Sequence, residues 1–222
     1  MKSFNWLLVL SVLSCIGCSS PVHEDGRGCA FVSDSIQYRV EFMSAGCVRI
    51  LSFPEGDTLV TKRLVGDSEK PAFKDYKWED TGQKLLFRTR ELSVVFDKAD
   101  AAFIFQETST GKLLLKEKGD RKARNFKRSV AGGEQCLEVT QRFVPTEDEA
   151  IYGLGQYQNG IMNYRGKSVL LLQANMDIVN PFLISTNGYG VLWDNYSSTK
   201  FEDTKEGYSF TSEVGDASDY YF

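Results

Sequence analysis

Apolar and polar residues alternate along most of this chain with a period of two. Ile36, Tyr38, Val40 and Phe42 stand between Gln37, Arg39 and Glu41, the spacing of a strand with one buried and one wet face. Val48 to Phe53 predicts a second short strand, stopped by Pro54-Glu55-Gly56. Asp57 to Val65 is a further candidate, with Gly66 to Lys70 a polar loop. Leu85, Phe87 and Thr89 alternate with Arg88 and Arg90, and Leu92, Val94 and Phe96 continue the pattern. Ala102 to Phe105 leads through the turn-like Thr108-Ser109-Thr110-Gly111 into Lys112 to Lys116. Leu137, Val139 and Phe143 alternate with Glu138, Thr140 and Arg142. Beyond the first twenty residues no window of eleven or more carries an apolar period of 3.6, although Pro145 to Glu149 has the carboxylates of a single helical turn. Short strands separated by Gly-, Asp- and Ser-containing turns predict an all-β protein, a β-sandwich.

The first residues follow another rule. Lys2 is followed by an apolar stretch from Trp6 to Leu13 and then by small residues, the pattern of a secretory leader. Its end, Ser14-Cys15-Ile16-Gly17-Cys18-Ser19-Ser20, resembles a bacterial lipoprotein cleavage site, with Cys18 the residue to be lipidated and Cys15 the alternative. This divides the chain into a signal peptide over 1–17, a tether over 18–30 that carries His23, Glu24 and Asp25, and a sandwich domain over 31–222. It places the product at a bacterial cell envelope, facing the periplasm or the cell surface. About 200 mature residues bury roughly 70% of their unfolded surface, so neither disulfide nor metal is needed for folding. Cys29, Cys47 and Cys136, an odd number without Cys-x-x-Cys spacing, read as buried thiols. The net charge of −4, with Lys and Glu interspersed, argues against nucleic acid as a partner. The basic run from Arg121 to Arg128 reads as a solvated loop.

The chemistry-bearing residues gather between Ala150 and Ser197. Ala150-Ile151-Tyr152-Gly153-Leu154-Gly155-Gln156-Tyr157-Gln158 opens the stretch. Met162-Asn163-Tyr164-Arg165-Gly166-Lys167 and Leu172-Gln173-Ala174-Asn175-Met176-Asp177 follow, and Asn180-Pro181-Phe182-Leu183 and Gly188-Tyr189-Gly190-Val191-Leu192-Trp193-Asp194-Asn195 close it. Amides, carboxylates and aromatics between glycines are side chains that hydrogen-bond to hydroxyls or lie flat on a ring. In this order the segments resemble the N-terminal domain of glycoside hydrolase family 31, the retaining α-glucosidases and α-xylosidases, and most of all its α-xylosidase-like members from gut Bacteroides. The resemblance implies a sandwich of the galactose-mutarotase-like type, a supersandwich, followed in the family by a (β/α)8 barrel. Asp216-Ala217-Ser218-Asp219 reads as a turn, and Tyr220-Tyr221-Phe222 after it as the start of a strand left unfinished, with an unprotected edge, in a chain that lacks the barrel.

That resemblance fixes what to seek and what not to seek. Retaining hydrolysis needs two carboxyl groups about 5–5.5 Å apart, and in the family both are aspartates of the barrel, so no catalytic residue is expected here. The single histidine, His23, falls in the tether, which excludes His-based acid–base and Ser-His-Asp chemistry. No cofactor and no metal are expected. Family members extend a loop from the sandwich over the barrel mouth. The resemblance assigns that loop to Asn175 and Asp177, with Gln156 and Tyr157 either lining the same mouth or packing beneath it. Many α-glucosidases carry Trp-Asn-x-Asp there, whereas this chain has Gln173-Ala174-Asn175-Met176-Asp177, which fits the α-xylosidase branch better. The expected partner is an oligosaccharide bearing an α-xyloside or α-glucoside. A free-standing surface lipoprotein that binds glycan without catalysis, and a decayed gene product, are the alternatives.

Overall fold

The computed structural model describes residues 21–57, 65, 72–119 and 125–222. The lipidation candidates Cys18 and Cys15 and most of the Asp57–Val65 strand candidate lie outside these residues. Among them the regular elements are all strands. In chain order they are β1 (His23–Glu24), β2 (Cys29–Ser33), β3 (Ile36–Ser44), β4 (Cys47–Pro54), β5 (Lys77–Asp80), β6 (Lys84–Arg88), β7 (Leu92–Asp97), β8 (Ala102–Glu107) and β9 (Leu113–Glu117). There follow β10 (Asn125–Ala131), β11 (Glu134–Val144), β12 (Ile151–Gln156), β13 (Ser168–Leu171), β14 (Ile178–Ser185), β15 (Gly190–Trp193), β16 (Thr199–Thr204), β17 (Gly207–Gly215) and β18 (Ser218–Tyr221).

They form two antiparallel sheets. The first runs β1-β2-β3-β4-β18-β15-β14-β12, and the second runs β13-β16-β17-β11-β9-β8-β7-β6-β5, with β10 also on β11. Tyr38, Val40, Phe42, Val48 and Ile50 of the first sheet and Phe87, Val94, Phe96, Phe103 and Phe105 of the second are buried between them. This is the alternation of the sequence turned into a sandwich core. Aromatic rings fill much of it: Phe31 lies on Tyr38 with centroids 5.2 Å apart, and Trp193 lies on Phe210 at 5.7 Å.

Charged residues occupy the opposite face of the first sheet. Arg49, on β4 between the core residues Val48 and Ile50, donates from Nε to Asp219 at 2.8 Å and from Nη1 to Glu41 at 3.1 Å, with a second contact from Nη2 to Asp219. All three are at most 5% exposed. Tyr221 covers Arg49, whose guanidinium lies 5.8 Å from the ring centroid, and donates its hydroxyl to the Val65 carbonyl at 3.0 Å.

Several expectations are corrected. The strand at the end of the chain forms no open edge: Tyr220 pairs with both Ile50 and Trp193, and Phe222 exchanges backbone bonds of 2.8 and 2.9 Å with Val48. Its ring stacks on Phe105 at 4.2 Å. The described part of the basic run is not a loop, because Asn125 to Arg128 opens β10, paired with β11 from Thr140 to Leu137. Pro145 to Glu149 makes a turn but no helix; Glu149 Oε2 accepts from both the amide and the hydroxyl of Thr146, at 2.9 and 3.0 Å. Part of the stretch expected as a tether is a sheet edge, with His23 and Glu24 opposite Ala30 and Cys29. The three thiols are free, but only Cys29 is buried. Burial, with Glu24 and Asp25 nearby, pushes the Cys29 thiol up to about 11 despite its contact with the Tyr76 hydroxyl.

Candidate functional site

The segments singled out in the sequence converge on one end of the first sheet. Gln156, the last residue of β12, is paired with Ile178, the first of β14, so the 157–167 loop and the 172–177 turn leave the sheet side by side. The glycines of the opening motif serve this junction structurally. Gly153, Leu154 and Gly155 all have positive φ, at 103°, 66° and 119°. A Cβ on Gly155 would lie 2.1 Å from the Ile178 carbonyl oxygen, and one on Gly153 would lie 2.5 Å from that of Phe182. Only glycine permits so close an approach. Pairing jumps from Gly153 opposite Leu183 to Gly155 opposite Val179, which turns Leu154 wholly into the core. Pro181, which has no N–H to donate, falls within this interruption of the ladder.

From β13 in the second sheet the chain crosses to β14 in the first through a tight turn. Ala174 and Asp177 bridge across it, with Asp177 N donating to Ala174 O at 3.3 Å, and Met176 at the tip has φ 73°. The Gln173 side chain spans its base, donating from Nε2 to the Asp177 carbonyl at 2.8 Å and accepting from the Val179 amide at 3.1 Å. Asn175 and Met176 are exposed and Asp177 is half-buried. The Asp177 carboxylate accepts no hydrogen bond from the described residues, so its lone pairs are unclaimed there.

Gln156 is exposed beside this turn. Tyr157 faces inward: its ring packs against the core cluster, and its hydroxyl donates to the Leu154 carbonyl at 3.0 Å. Burial, and then the Tyr164 and Asp177 charges, push its hydroxyl up to about 12, so it stays a neutral donor. The fold thus brings Gln156, Tyr157, Asn175 and Asp177 to one end of the sandwich, with the donor of Tyr157 already engaged.

One functional-looking group was not singled out in the sequence. Arg165 donates from Nε to Asp203 at 3.0 Å and from Nη1 to the carbonyls of Thr146 and Glu149, both at 3.0 Å. It ties the 157–167 loop to β16 and to the 145–149 turn, under a cleft of about 440 Å³ also lined by Glu147, Asp148 and Lys205. Asp203 Oδ1 is buried without a partner among the described residues. The alternation Phe201, Asp203 on one face of β16 was the available signal, since it places a carboxylate on a core-facing position. Trp193 is core, fully buried and bonded through Nε1 to Ser212 at 2.8 Å. Asp194, the next residue, is buried too. The amide of Asn195, first residue of an Asn-Tyr-Ser sequon, is bonded to Val214 O and Ser197 N at 3.0 and 2.8 Å. Among the described residues no group of His, Cys, Asp and Glu is placed to hold a metal.

Residues 37–202 match the family model described as the glycosyl hydrolase 31 N-terminal galactose mutarotase-like domain. The chain is 32% identical over 202 residues to an α-xylosidase of Saccharolobus solfataricus, covering 84% of this chain but 26% of that protein. Among solved structures, a family 31 α-xylosidase from a soil metagenome, complexed with xylose, superposes with a TM-score of 0.76 at 23% identity, over 91% of this chain and 32% of that one. A family 31 α-xylosidase from Xanthomonas citri gives a TM-score of 0.71 at 31% identity, over 83% and 20%. The chain therefore spans about a quarter of the length of the Saccharolobus solfataricus protein.

Proposed function

The chain belongs to glycoside hydrolase family 31 through its N-terminal galactose mutarotase-like domain, and from that membership we propose that it is the non-catalytic front domain of a retaining α-glycosidase. Its contribution is a loop of the sugar pocket; the hydrolytic carboxylate pair belongs to a barrel outside these residues. The observation that carries the reading is Asp177. It is a half-buried carboxylate on a clamped turn, beside Gln156 and Asn175, with its lone pairs unclaimed by the described residues. Such a group accepts charge-assisted hydrogen bonds from sugar hydroxyls. The likeness to α-xylosidases supports an α-xyloside over an α-glucoside as substrate. The exposed apolar side chains of Tyr152, Ile178, Phe182 and Ile184 on adjacent strands support a further packed domain on that face. In this reading Cys18, or Cys15, carries lipid and holds the protein at a bacterial envelope.

The test has two arms. The purified chain should not hydrolyse an aryl α-xyloside or α-glucoside, because in this reading the paired acid and nucleophile belong to the barrel. Joined to the catalytic portion of the Saccharolobus solfataricus α-xylosidase, in place of that enzyme's own matching region, it should support turnover that the catalytic portion alone lacks. Clear turnover by the isolated chain, free of contaminants, contradicts the proposal.

A further inference from the structure

We propose that Gln173 is a positioning residue for the sugar-facing carboxylate of Asp177, an inference that rests on the reading of that turn given above. On one side β14 is paired with β12, at Ile178 opposite Gln156. On its other side β14 meets β15 only from Phe182, opposite Leu192, to Ile184, opposite Gly190. The backbone groups that point to that side before Phe182 meet no strand among the described residues. In an extended strand the carbonyl of one residue and the amide of the next but one point the same way. Asp177 C=O and Val179 N–H are such a pair, and the Gln173 amide meets both, with Nε2 at 2.8 Å and Oε1 at 3.1 Å. A primary amide offers a donor and an acceptor side by side, so the Gln173 side chain replaces one peptide unit of the absent neighbouring strand.

The bonds act on the residue that matters. They hold the carbonyl of Asp177 itself and the amide two residues on, which fixes the backbone from which its carboxylate projects. The rest of the turn is weakly held. Its closing bond, Asp177 N to Ala174 O, is 3.3 Å long, and Met176 occupies a left-handed conformation that side-chain-bearing residues seldom adopt. Gln173 is exposed and belongs to no core cluster. Its removal therefore loosens the turn without unpacking the sandwich. A carboxylate must stand within a few tenths of an ångström of its place to bond a sugar hydroxyl well, so the amide at the base of the turn acts on the sugar through Asp177.

The test begins on the chain as it is. In Gln173→Ala the Val179 amide, read by NMR hydrogen exchange, should exchange at least about tenfold faster, while Val191 in β15 keeps its rate. Gln173→Glu keeps the acceptor for Val179 but sets an oxygen against the Asp177 carbonyl, so Val179 should be partly protected and the turn still loosened. In the joined enzyme, Gln173→Ala should lower kcat/KM for an aryl α-xyloside about three- to tenfold, the effect of losing one net hydrogen bond. The Gln173→Ala/Asp177→Ala double variant should be no worse than Asp177→Ala alone, because Gln173 acts only through that carboxylate. Losses that multiply in the double variant, or a silent Gln173→Ala beside an impaired Asp177→Ala, overturn the inference and leave the reading of the turn intact. A silent Asp177→Ala sinks that reading whatever Gln173 does. Unchanged Val179 exchange, or faster exchange at Val191 as well, makes Gln173 something other than a clamp and also overturns the inference.

Discussion

Placing a methyl group on Gly155 tests whether the Gly-Leu-Gly motif is a point of close backbone approach or merely a flexible corner. Two costs add. At φ 119° an L-residue is in a sparsely populated region, which costs about 1–3 kcal/mol. The new Cβ would also meet the Ile178 carbonyl oxygen at 2.1 Å and the Asn180 amide at 3.0 Å. Both are backbone atoms, so no rotamer change relieves the contact and β12 must move off β14, an overpacking cost of about 1–3 kcal/mol. Gly155→Ala should therefore destabilise the chain by about 4 kcal/mol. Gly160 is the control: it has φ 67°, and an added Cβ there would meet nothing within 4 Å. Alanine costs about 1–2 kcal/mol in that left-handed region. For a domain of this size 1 kcal/mol moves Tm by about 2–4 °C, so differential scanning calorimetry should show a fall of about 8–16 °C for Gly155→Ala and only about 2–8 °C for Gly160→Ala. Equal falls would refute the close-approach argument.

Asp219→Asn should cost about 3 kcal/mol in urea unfolding, because among the described residues it leaves the buried Arg49 with only Glu41 as a counter-charge; a cost under about 1 kcal/mol would mean water reaches the pair. Burial and the bond to Glu149 hold the Tyr189 hydroxyl well above its ordinary value of 10.0. A raised folded-state value means that its stabilising effect is whole below about pH 10 and is lost as pH rises further, by about 1.4 kcal/mol per pH unit. Tyr189→Phe should flatten the alkaline fall of the urea midpoint between about pH 10 and 11, and an unchanged slope would assign that fall to other groups. Cys18→Ser should release the product from membranes or leave its precursor unprocessed, read by fractionation and lipid labelling; unchanged labelling would move the assignment to Cys15.

The sequence revealed strands best where polar and apolar residues alternate strictly, as in Ile36 to Phe42 and Leu92 to Phe96. Phe201, Tyr208 and Phe210 carry the same signal for β16 and β17, but Asp203 and Ser212 on the same inward faces blur it. Arg49 and Asp219 show why charge is a poor guide to exposure: both are buried because they satisfy each other, which only long-range pairing reveals. The same holds for Asn125 to Arg128, which pairs as a strand despite its basic character because β11 offers a long free side. At the end of the chain, Tyr220 and Tyr221 are buried with strands on both sides of them, and local sequence contains no word of either neighbour. For the site, motif order brought Gln156, Tyr157, Asn175 and Asp177 to attention, and the fold gathers them at one end. The inward turn of Tyr157 and the bracing amide of Gln173 depend on backbone geometry that side-chain chemistry does not encode.

The central claim, that this domain lends a carboxylate to a sugar pocket, is tested most directly by Asp177→Ala in the joined enzyme. Losing a charge-assisted hydrogen bond costs about 1.5–3 kcal/mol, so kcat/KM for an α-xyloside should fall about ten- to hundredfold. The melting temperature of the isolated domain should not move, because the side chain is only half-buried and bonds to none of the described residues. Unchanged kcat/KM, or a fall in activity matched by a collapse of the melting temperature, would contradict the account.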